Sequence, residues 1–520
     1  MTNRKLARNI GVMSIGVSFS RVFGLIRDQV MAYFFGTTIF NDAFNVGYNI
    51  PNLLRRLFGE GALSTAFVPI YAEIGEKDSA EAQQRFALNL LSILSLILLF
   101  LTLCGVFLAP YIVRLLYPGL ASETSLMAIK LTRIMFPYLF FIGLSSTMIA
   151  VLNSHDYFFM TGLSSALLNI AMILFLIIPH AVFGLSGERL LIWSAWGVIV
   201  GGLFQTLINF PFLKKIGYRW KLYLDFTTDA IRMLWKRFIP SMIGIGVREI
   251  NLIADSLMAS FLPIGSITAL GFGNRLMQLP LGIFAISAGT AVLPLYSRCV
   301  SRGEYGELSE NMRFTTLSMA YLMLPITTLI IALGNDFVSI LFQSGAFDAR
   351  AALMTSQALV YYSLGLFFFS MNQTLTPLFY ANKDTSTPVK LASAMVAINI
   401  TLNFILMQFI QHRGLALSTS ITSVINFLLL ISLLKRKMPS LVFKGLIIPG
   451  LKVIFCCVLI YLLAWGCALR FPVQGRLPLL GRDAIIVAAC FVLFYALGRL
   501  LHLDYLSELS NKLWQRFRRN

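Results

Sequence analysis

Charged side chains are scarce in this 520-residue sequence, 12% of the total, where a water-soluble domain carries about 25%. That shortage excludes a soluble enzyme, and 57% hydrophobic residues with a mean hydropathy of +0.77 point the same way. Histidine is nearly absent: His155, His180, His412 and His502 are scattered along the chain. No Asp-Asp-x-x-Asp run and no nucleophile-base constellation accompanies them. A membrane-embedded transferase or phosphatase would need such groups, so an enzyme is disfavoured. The six cysteines (Cys104, Cys299, Cys456, Cys457, Cys467, Cys490) lie in or beside apolar stretches without metal-ligand spacing. They read as small hydrophobes with no redox role. Alternation is missing too: 90–107 and 485–497 are continuously apolar, which excludes a transmembrane β-barrel. The start is basic, but Arg21 and Arg27 interrupt the following segment and no small-residue cleavage site follows. It reads as a retained first helix, not a signal peptide.

What is present is a series of apolar runs long enough to cross a ~30 Å hydrocarbon layer. Counted between polar breaks, they fall at 10–35, 42–74, 87–117, 125–152, 157–181, 190–213, 232–262, 266–298, 312–343, 350–381, 388–411, 414–434, 446–468 and 482–503. The expected fold is therefore an all-α polytopic membrane protein of about fourteen helices. Acid is the rarer charge, 23 Asp+Glu against 42 Lys+Arg, for a net +19. Much of the excess sits in two loops, Lys214, Lys215, Arg219, Lys221, Arg232, Lys236 and Arg237 in one and Lys435, Arg436 and Lys437 in another. That placement points to an anionic membrane face and not to nucleic acid. An even helix count with a basic start (Arg4, Lys5, Arg8) and a basic tail (Lys512, Arg516, Arg518, Arg519) puts both termini in the cytoplasm. The loops at 117–124, 262–266 and 343–349 lack Lys and Arg and agree; the last outer loop, with Arg470, Arg476 and Arg482, breaks the trend.

The sequence repeats itself. Leu25-Ile-Arg-Asp-Gln-Val-Met-Ala-Tyr-Phe34 matches Leu252-Ile-Ala-Asp-Ser-Leu-Met-Ala-Ser-Phe261, and Thr65-Ala-Phe-Val-Pro-Ile-Tyr71 matches Thr290-Ala-Val-Leu-Pro-Leu-Tyr296, at offsets of 227 and 225. Ile208-Asn-Phe210 before Lys214 likewise resembles Ile425-Asn-Phe427 before Lys435, at an offset of 217. Their order and spacing indicate a duplication of six helices. An even number gives both halves the same orientation, with a site between them near the bilayer midplane. The division is 1–220 (N-lobe), 221–440 (C-lobe), 441–505 (two extra helices) and 506–520 (a basic tail).

Several spans hold charges: Arg21, Arg27 and Asp28; Arg55, Arg56 and Glu60; Arg248, Glu249 and Asp255; Arg275. An arginine at the bilayer centre costs about 2.5–3.5 kcal/mol even on lenient scales, so these must face a watery cavity or one another. One reading is pairing with Asp28, Glu60 or Glu249 that holds helices together. The other is collective: arginines outnumber acids in the first two spans, and Arg275 is flanked by the amides Asn274 and Gln278. A net cationic cavity wants an anion, and the guanidinium fork suits phosphate oxygens; a pyrophosphate is a good candidate. In the second span, Pro51 together with Gly59-Glu60-Gly61 favours a kink. A bend carrying Arg55 suits a gate, and a static packing kink accounts for the same residues.

A family resemblance now becomes visible. Ser20-Arg21-Val-Phe-Gly24-Leu-Ile-Arg27-Asp28, Asp42-Ala43-Phe44, Ile50-Pro-Asn-Leu-Leu-Arg55-Arg56-Leu-Phe-Gly-Glu60-Gly-Ala-Leu63-Ser64 and Ala66-Phe67-Val68-Pro69 closely resemble the MurJ (MviN) family of bacterial lipid II flippases. That family belongs to the multidrug/oligosaccharidyl-lipid/polysaccharide exporter superfamily. The resemblance implies two six-helix lobes forming a V-shaped central cavity, alternating access, and a location in the bacterial cytoplasmic (inner) membrane. It implies transfer of undecaprenyl-pyrophosphate-linked disaccharide-pentapeptide, lipid II, from the inner to the outer leaflet for peptidoglycan synthesis. It places Arg27, Arg55 and Arg275 as diphosphate ligands, adds Arg21, Asp28 and Asp42 as functional positions, and gives the two extra helices a groove for the isoprenoid tail. Asn274 and Gln278 depart from the acids found there in many relatives, which makes the C-lobe more cationic. Asp255, Asn399, Asn403 and Thr419 offer one carboxylate with amide and hydroxyl oxygens, a set that suits sodium or, alternatively, ordinary interhelical hydrogen bonding. No other cofactor is expected, and contacts with cell-wall synthesis proteins are left open. The alternative within transport is an exporter of another polyprenyl-linked oligosaccharide, since fold does not fix substrate.

Overall fold

In hydrocarbon, backbone N–H and C=O groups have only one another to bond, and the long apolar runs fold accordingly into helices. The computed structural model describes residues 3–58, 62–157, 159–219, 221–442, 445–473 and 475–503, and among them there is no strand. In chain order the helices are α1 (Asn3–Phe35), α2 (Ile39–Phe58), α3 (Ala62–Lys77), α4 (Ala80–Leu116), α5 (Ser122–Met135), α6 (Tyr138–Ser154), α7 (Phe159–Phe183), α8 (Gly187–Leu207), α9 (Phe210–Lys215) and α10 (Asp229–Ala259). Then follow α11 (Ser266–Pro280), a π-turn (Leu281–Ala285), α12 (Ile286–Arg302), α13 (Tyr305–Phe342), α14 (Ala349–Ser363), α15 (Leu366–Ala381), α16 (Ser386–Ile410), α17 (His412–Lys437), α18 (Ile447–Arg470) and α19 (Arg476–Leu500).

By length and composition nine helical segments can cross a bilayer among the described residues, or eleven when each bent pair counts as one span. The expected fourteen includes three more segments, α1, α2 with α3, and α10, which are helical but not among those nine or eleven. The chain is a multi-pass membrane protein. Among the described residues three expected helices are bent or distorted. The 125–152 run breaks by 42° between α5 and α6, at Phe136-Pro137, and the 350–381 run breaks by 43° between α14 and α15, at Leu364-Gly365. The 266–298 run carries the π-turn directly after Pro280; the 42–74 run comprises α2 and α3, with 59–61 outside the described residues. Proline without its N–H, and a ring against the preceding turn, accounts for the breaks at Pro137 and Pro280.

The duplication is written in the geometry. The 37-residue α4 and the 38-residue α13 start 225 residues apart. The two bent pairs start 227 residues apart with nearly equal angles. Within each half the helices pair in the same order: α4 with α5 and α6, α6 with α8, α7 with α8, and correspondingly α13 with α14 and α15, α15 with α17, α16 with α17.

Helix association in lipid gains little from the hydrophobic effect and depends on close approach of small residues. On α8, Gly197 and Gly201 form a small-xxx-small pair against α7. A Cβ on Gly201 would lie 3.0 Å from the Leu168 Cα, and one on Gly197 would lie 3.2 Å from the Met172 Cα. At the first bend the Phe136 ring occupies the place of a side chain on Gly105. The second bend packs Gly365 on α17, where its N–H donates to the Ser420 hydroxyl at 3.1 Å.

Contacts divide the chain into two units, 1–267 with 344–347, and 268–343 with 348–520. In the first, α10 packs on α2, α3 and α4. In the second, α18 and α19 dock on α13: Val453, Cys456, Ile460, Ile486, Cys490 and Phe494 share a buried cluster with Leu317 and Tyr321. Arg482 ties this pair to α13, paired with Asp336 and, at 2.7 Å, with Asp483. The basic tail at 506–520 lies outside the described residues.

Candidate functional site

In the first unit α1 brings Arg27 against α7. The guanidinium donates from Nε and Nη2 to one Asp28 carboxylate oxygen, at 3.2 and 2.8 Å, and from Nη1 to the Asn169 amide oxygen at 2.9 Å. Three of its five N–H donors are thereby engaged among the described residues. Asn169 is itself oriented by donating to the Ser20 and Ser165 carbonyls, both at 3.3 Å. Asp28 is buried, Arg27 is half-buried and Arg21 on the same helix is exposed. The Asp28 carboxylate neutralises Arg27 and also aims it, which is the pairing reading of the sequence.

On α2, Arg55 Nε donates to the Asn52 amide oxygen at 2.7 Å. Its neighbour Arg56 forms an ion pair with buried Glu249 of α10, N to O 3.2 Å, which is the helix-tying role. Pro51 sits inside α2, four residues after Gly47, whose missing side chain leaves room for Leu131 and Met135 of α5. The expected gating residues Gly59, Glu60 and Gly61 lie outside the described residues.

The loops poor in lysine meet the α1–α2 turn. Buried Asp42 accepts a hydrogen bond from the Gly265 N–H at 2.6 Å, just before α11 begins. The Ala346 N–H donates to the Tyr33 carbonyl at 2.8 Å. Gly36 and Gly345 flank that contact with φ of +52° and +58°, and a Cβ on Gly345 would stand 2.4 Å from the Tyr33 carbonyl oxygen. Only glycine meets both demands. The Gly119 N–H closes the cluster by donating to the Ser260 hydroxyl at 3.1 Å.

In the second unit α11 carries Asn274, Arg275 and Gln278 on adjoining positions. Arg275 and Gln278 are exposed, and the Gln278 amide donates to the Asn274 amide oxygen at 2.6 Å. No acid occurs anywhere from Ser266 to Arg302. The π-turn lies one turn beyond Gln278, in the span that bears the arginine. Asn399 and Asn403 of α16 are buried, and the Asn403 amide donates to Asn399 Oδ1 at 3.1 Å. Asn399 donates to the Ser418 and Thr422 hydroxyls of α17, both at 3.4 Å, and Ser418 donates to Asn403 Oδ1. Thr419 points its hydroxyl back at the Leu415 carbonyl of its own helix, 2.9 Å away. Asp255, in the first unit, accepts from Asn251 at 3.3 Å.

A family model described as lipid II flippase MurJ matches residues 31–478. The chain belongs to the MurJ family. Relatives include a probable lipid II flippase MurJ of Buchnera aphidicola subsp. Schizaphis graminum, 35% identical, with 81% of each chain covered. The lipid II flippase MurJ of Burkholderia cenocepacia is 33% identical over 92% of this chain and 93% of its own. Among solved structures, a lipid II flippase MurJ in an inward closed conformation matches with a TM-score of 0.79 at 28% identity, covering 95% of this chain and 99% of that one. An inward-facing multidrug-resistance transporter of the MATE family matches with a TM-score of 0.66 at 15% identity over 84% of this chain and 99% of its own, a likeness of fold. For this MurJ-family chain the structure brings together Arg27, Asp28 and the unanticipated Asn169. It groups Asn399 and Asn403 with Ser418 and Thr422 in place of Thr419. The signal was available: Ser418 and Thr422 stand four apart, as do Asn399 and Asn403, so the two pairs face each other across neighbouring helices.

Proposed function

We propose that the chain transfers lipid II, an undecaprenyl-pyrophosphate-linked disaccharide-pentapeptide, from the inner to the outer leaflet of the bacterial cytoplasmic membrane. The observation that carries this reading is the whole-chain likeness to a lipid II flippase, 95% of the chain at a TM-score of 0.79. The mechanism is alternating access of two six-helix lobes, with both termini in the cytoplasm and the α18–α19 pair receiving the isoprenoid tail. The pyrophosphate meets Arg27, Arg55 and Arg275. The held guanidinium of Arg27 supports that role, because Asp28 and Asn169 fix the fork at one angle. Arg21, Asn274 and Gln278 extend the polar surface toward the sugar and peptide. The Asp42 and Gly345 contacts serve as a latch that must open for release. Sodium is the proposed coupling ion, with the Asn399 and Asn403 amide oxygens of the second unit as its proposed ligands, since a hard cation takes oxygen donors.

Complementation of a strain depleted of its own lipid II flippase tests the substrate. Growth is expected with the wild type, and lysis with well-inserted Arg55→Ala or Arg275→Ala variants. A wild type that inserts but does not rescue would overturn the assignment of lipid II.

A further inference from the structure

Two amphipathic cavities lie away from the arginine site, one after the last span of each sequence repeat. The first, of about 590 Å³, is lined by Leu88 and Leu91 of α4, Phe210 and Leu213 of α9, and the exposed Lys214 and Arg219. The second, of about 810 Å³, is lined by Lys435 of α17 and by Leu441, Val442, Ile447 and Ile448 at the approach to α18. Neither lining contains an acid. The first includes Phe210 of the matched Ile208-Asn-Phe210 segment, and the second lies after the matched Ile425-Asn-Phe427 segment; the two are built from different elements and share an apolar floor with a basic residue.

The first cavity has pinned walls. Tyr218, which also lines it, is buried, and its hydroxyl lies 2.5 Å from the Tyr71 hydroxyl, which in turn meets His155 Nε2 at 2.9 Å. The chain beyond it is tied to α4: Asn89 donates to the Asp225 carbonyl at 2.7 Å and accepts from the Asp225 N–H at 2.9 Å, while the Tyr223 N–H donates to the Ser92 hydroxyl. Leu88 and Leu91 stand about 12 and 17 Å along α4 from its start at Ala80, a depth near the boundary between headgroups and hydrocarbon. Nearby in the chain, Lys215 ends α9, Lys221 lies in the connection, and Arg232, Lys236 and Arg237 stand in the first turns of α10, not in a loop as the sequence suggested.

We propose that each cavity binds one anionic phospholipid of the inner leaflet, its phosphodiester on Lys214 and Arg219 or on Lys435 and its glycerol and upper acyl carbons in the apolar floor. Charge complementarity selects this occupant: a zwitterionic lipid gains less from an acid-free basic rim, and a soluble anion makes no use of the apolar floor. The orientation rests on the positive-inside rule.

The test is native mass spectrometry of the full-length protein extracted from vesicles of mixed phosphatidylglycerol and phosphatidylcholine. The wild type should retain two phosphatidylglycerols. Lys214→Ala/Arg219→Ala should retain one, and addition of Lys435→Ala should remove the second, with affinity falling about fivefold per basic residue lost. Lys214→Arg/Arg219→Lys should retain both, which separates loss of charge from loss of fold. Equal retention of phosphatidylcholine, unchanged retention in the alanine variants, or displacement of the lipid by inorganic phosphate alone would overturn the proposal.

Discussion

Arg27 is held by Asp28 and Asn169 and is also the proposed ligand for a phosphate. Its partner Asp28 is buried, so Arg27→Ala takes the counter-charge from a buried carboxylate and should lower the unfolding midpoint in detergent. Arg27→Ala/Asp28→Asn removes the carboxylate charge as well, and the midpoint should return toward the wild-type value. Lipid II transfer should stay at least tenfold down, because the guanidinium is gone. Recovery of transfer together with stability would make Arg27 a packing residue. That Arg27 has to be partnered was legible in the sequence, because an arginine inside an apolar span is expensive anywhere. Its partner Asn169 was not, since one asparagine in an apolar helix does not announce which neighbour it faces. On α17 the four-residue spacing of Ser418 and Thr422 was legible, and side-chain direction turns those two to Asn399 while Thr419 bonds within its own helix.

At the scale of elements, close approach and loop chemistry decide. Gly201→Val on α8 places new methyls against the α7 backbone at Leu168, where a Cβ already has only 3.0 Å. It should destabilise the α7–α8 pair by about 1–3 kcal/mol, read as a lower unfolding midpoint, while Gly466→Ala on α18, where a Cβ meets nothing, should be close to neutral. In the turn before α16, Asp384 accepts hydrogen bonds from Lys437, from the Ser386 hydroxyl and from the Thr387 N–H. The Lys437 ammonium and then Thr387 hold its carboxyl below the usual range. A carboxyl whose pKa is depressed by folding stabilises above its unfolded value, and the contribution is lost as pH falls through the folded value. Asp384→Asn should therefore lower stability at pH 7 by no more than about 1 kcal/mol, and the difference from wild type should shrink with acidification below about pH 4. Helix existence was legible from hydropathy. The breaks at Pro137 and Gly365 were harder to read, because hydropathy runs through them unbroken and the bend depends on which helix each one packs against.

For the whole molecule, the duplication was readable from three short matches and is repeated in helix lengths, bends and pairing order. The division by contact was not readable, because α10 belongs to the second sequence repeat and packs with the first unit; hydropathy fixes spans, not partners. The central claim is that this duplicated bundle moves a pyrophosphate-linked lipid by means of arginines contributed from both sequence repeats. The most direct measurement is transbilayer transfer of labelled lipid II in vesicles containing the purified protein, wild type against Arg27→Ala/Arg55→Ala/Arg275→Ala, with insertion verified. The account predicts transfer by the wild type and none above protein-free vesicles for the triple variant. Full transfer by the triple variant would contradict it.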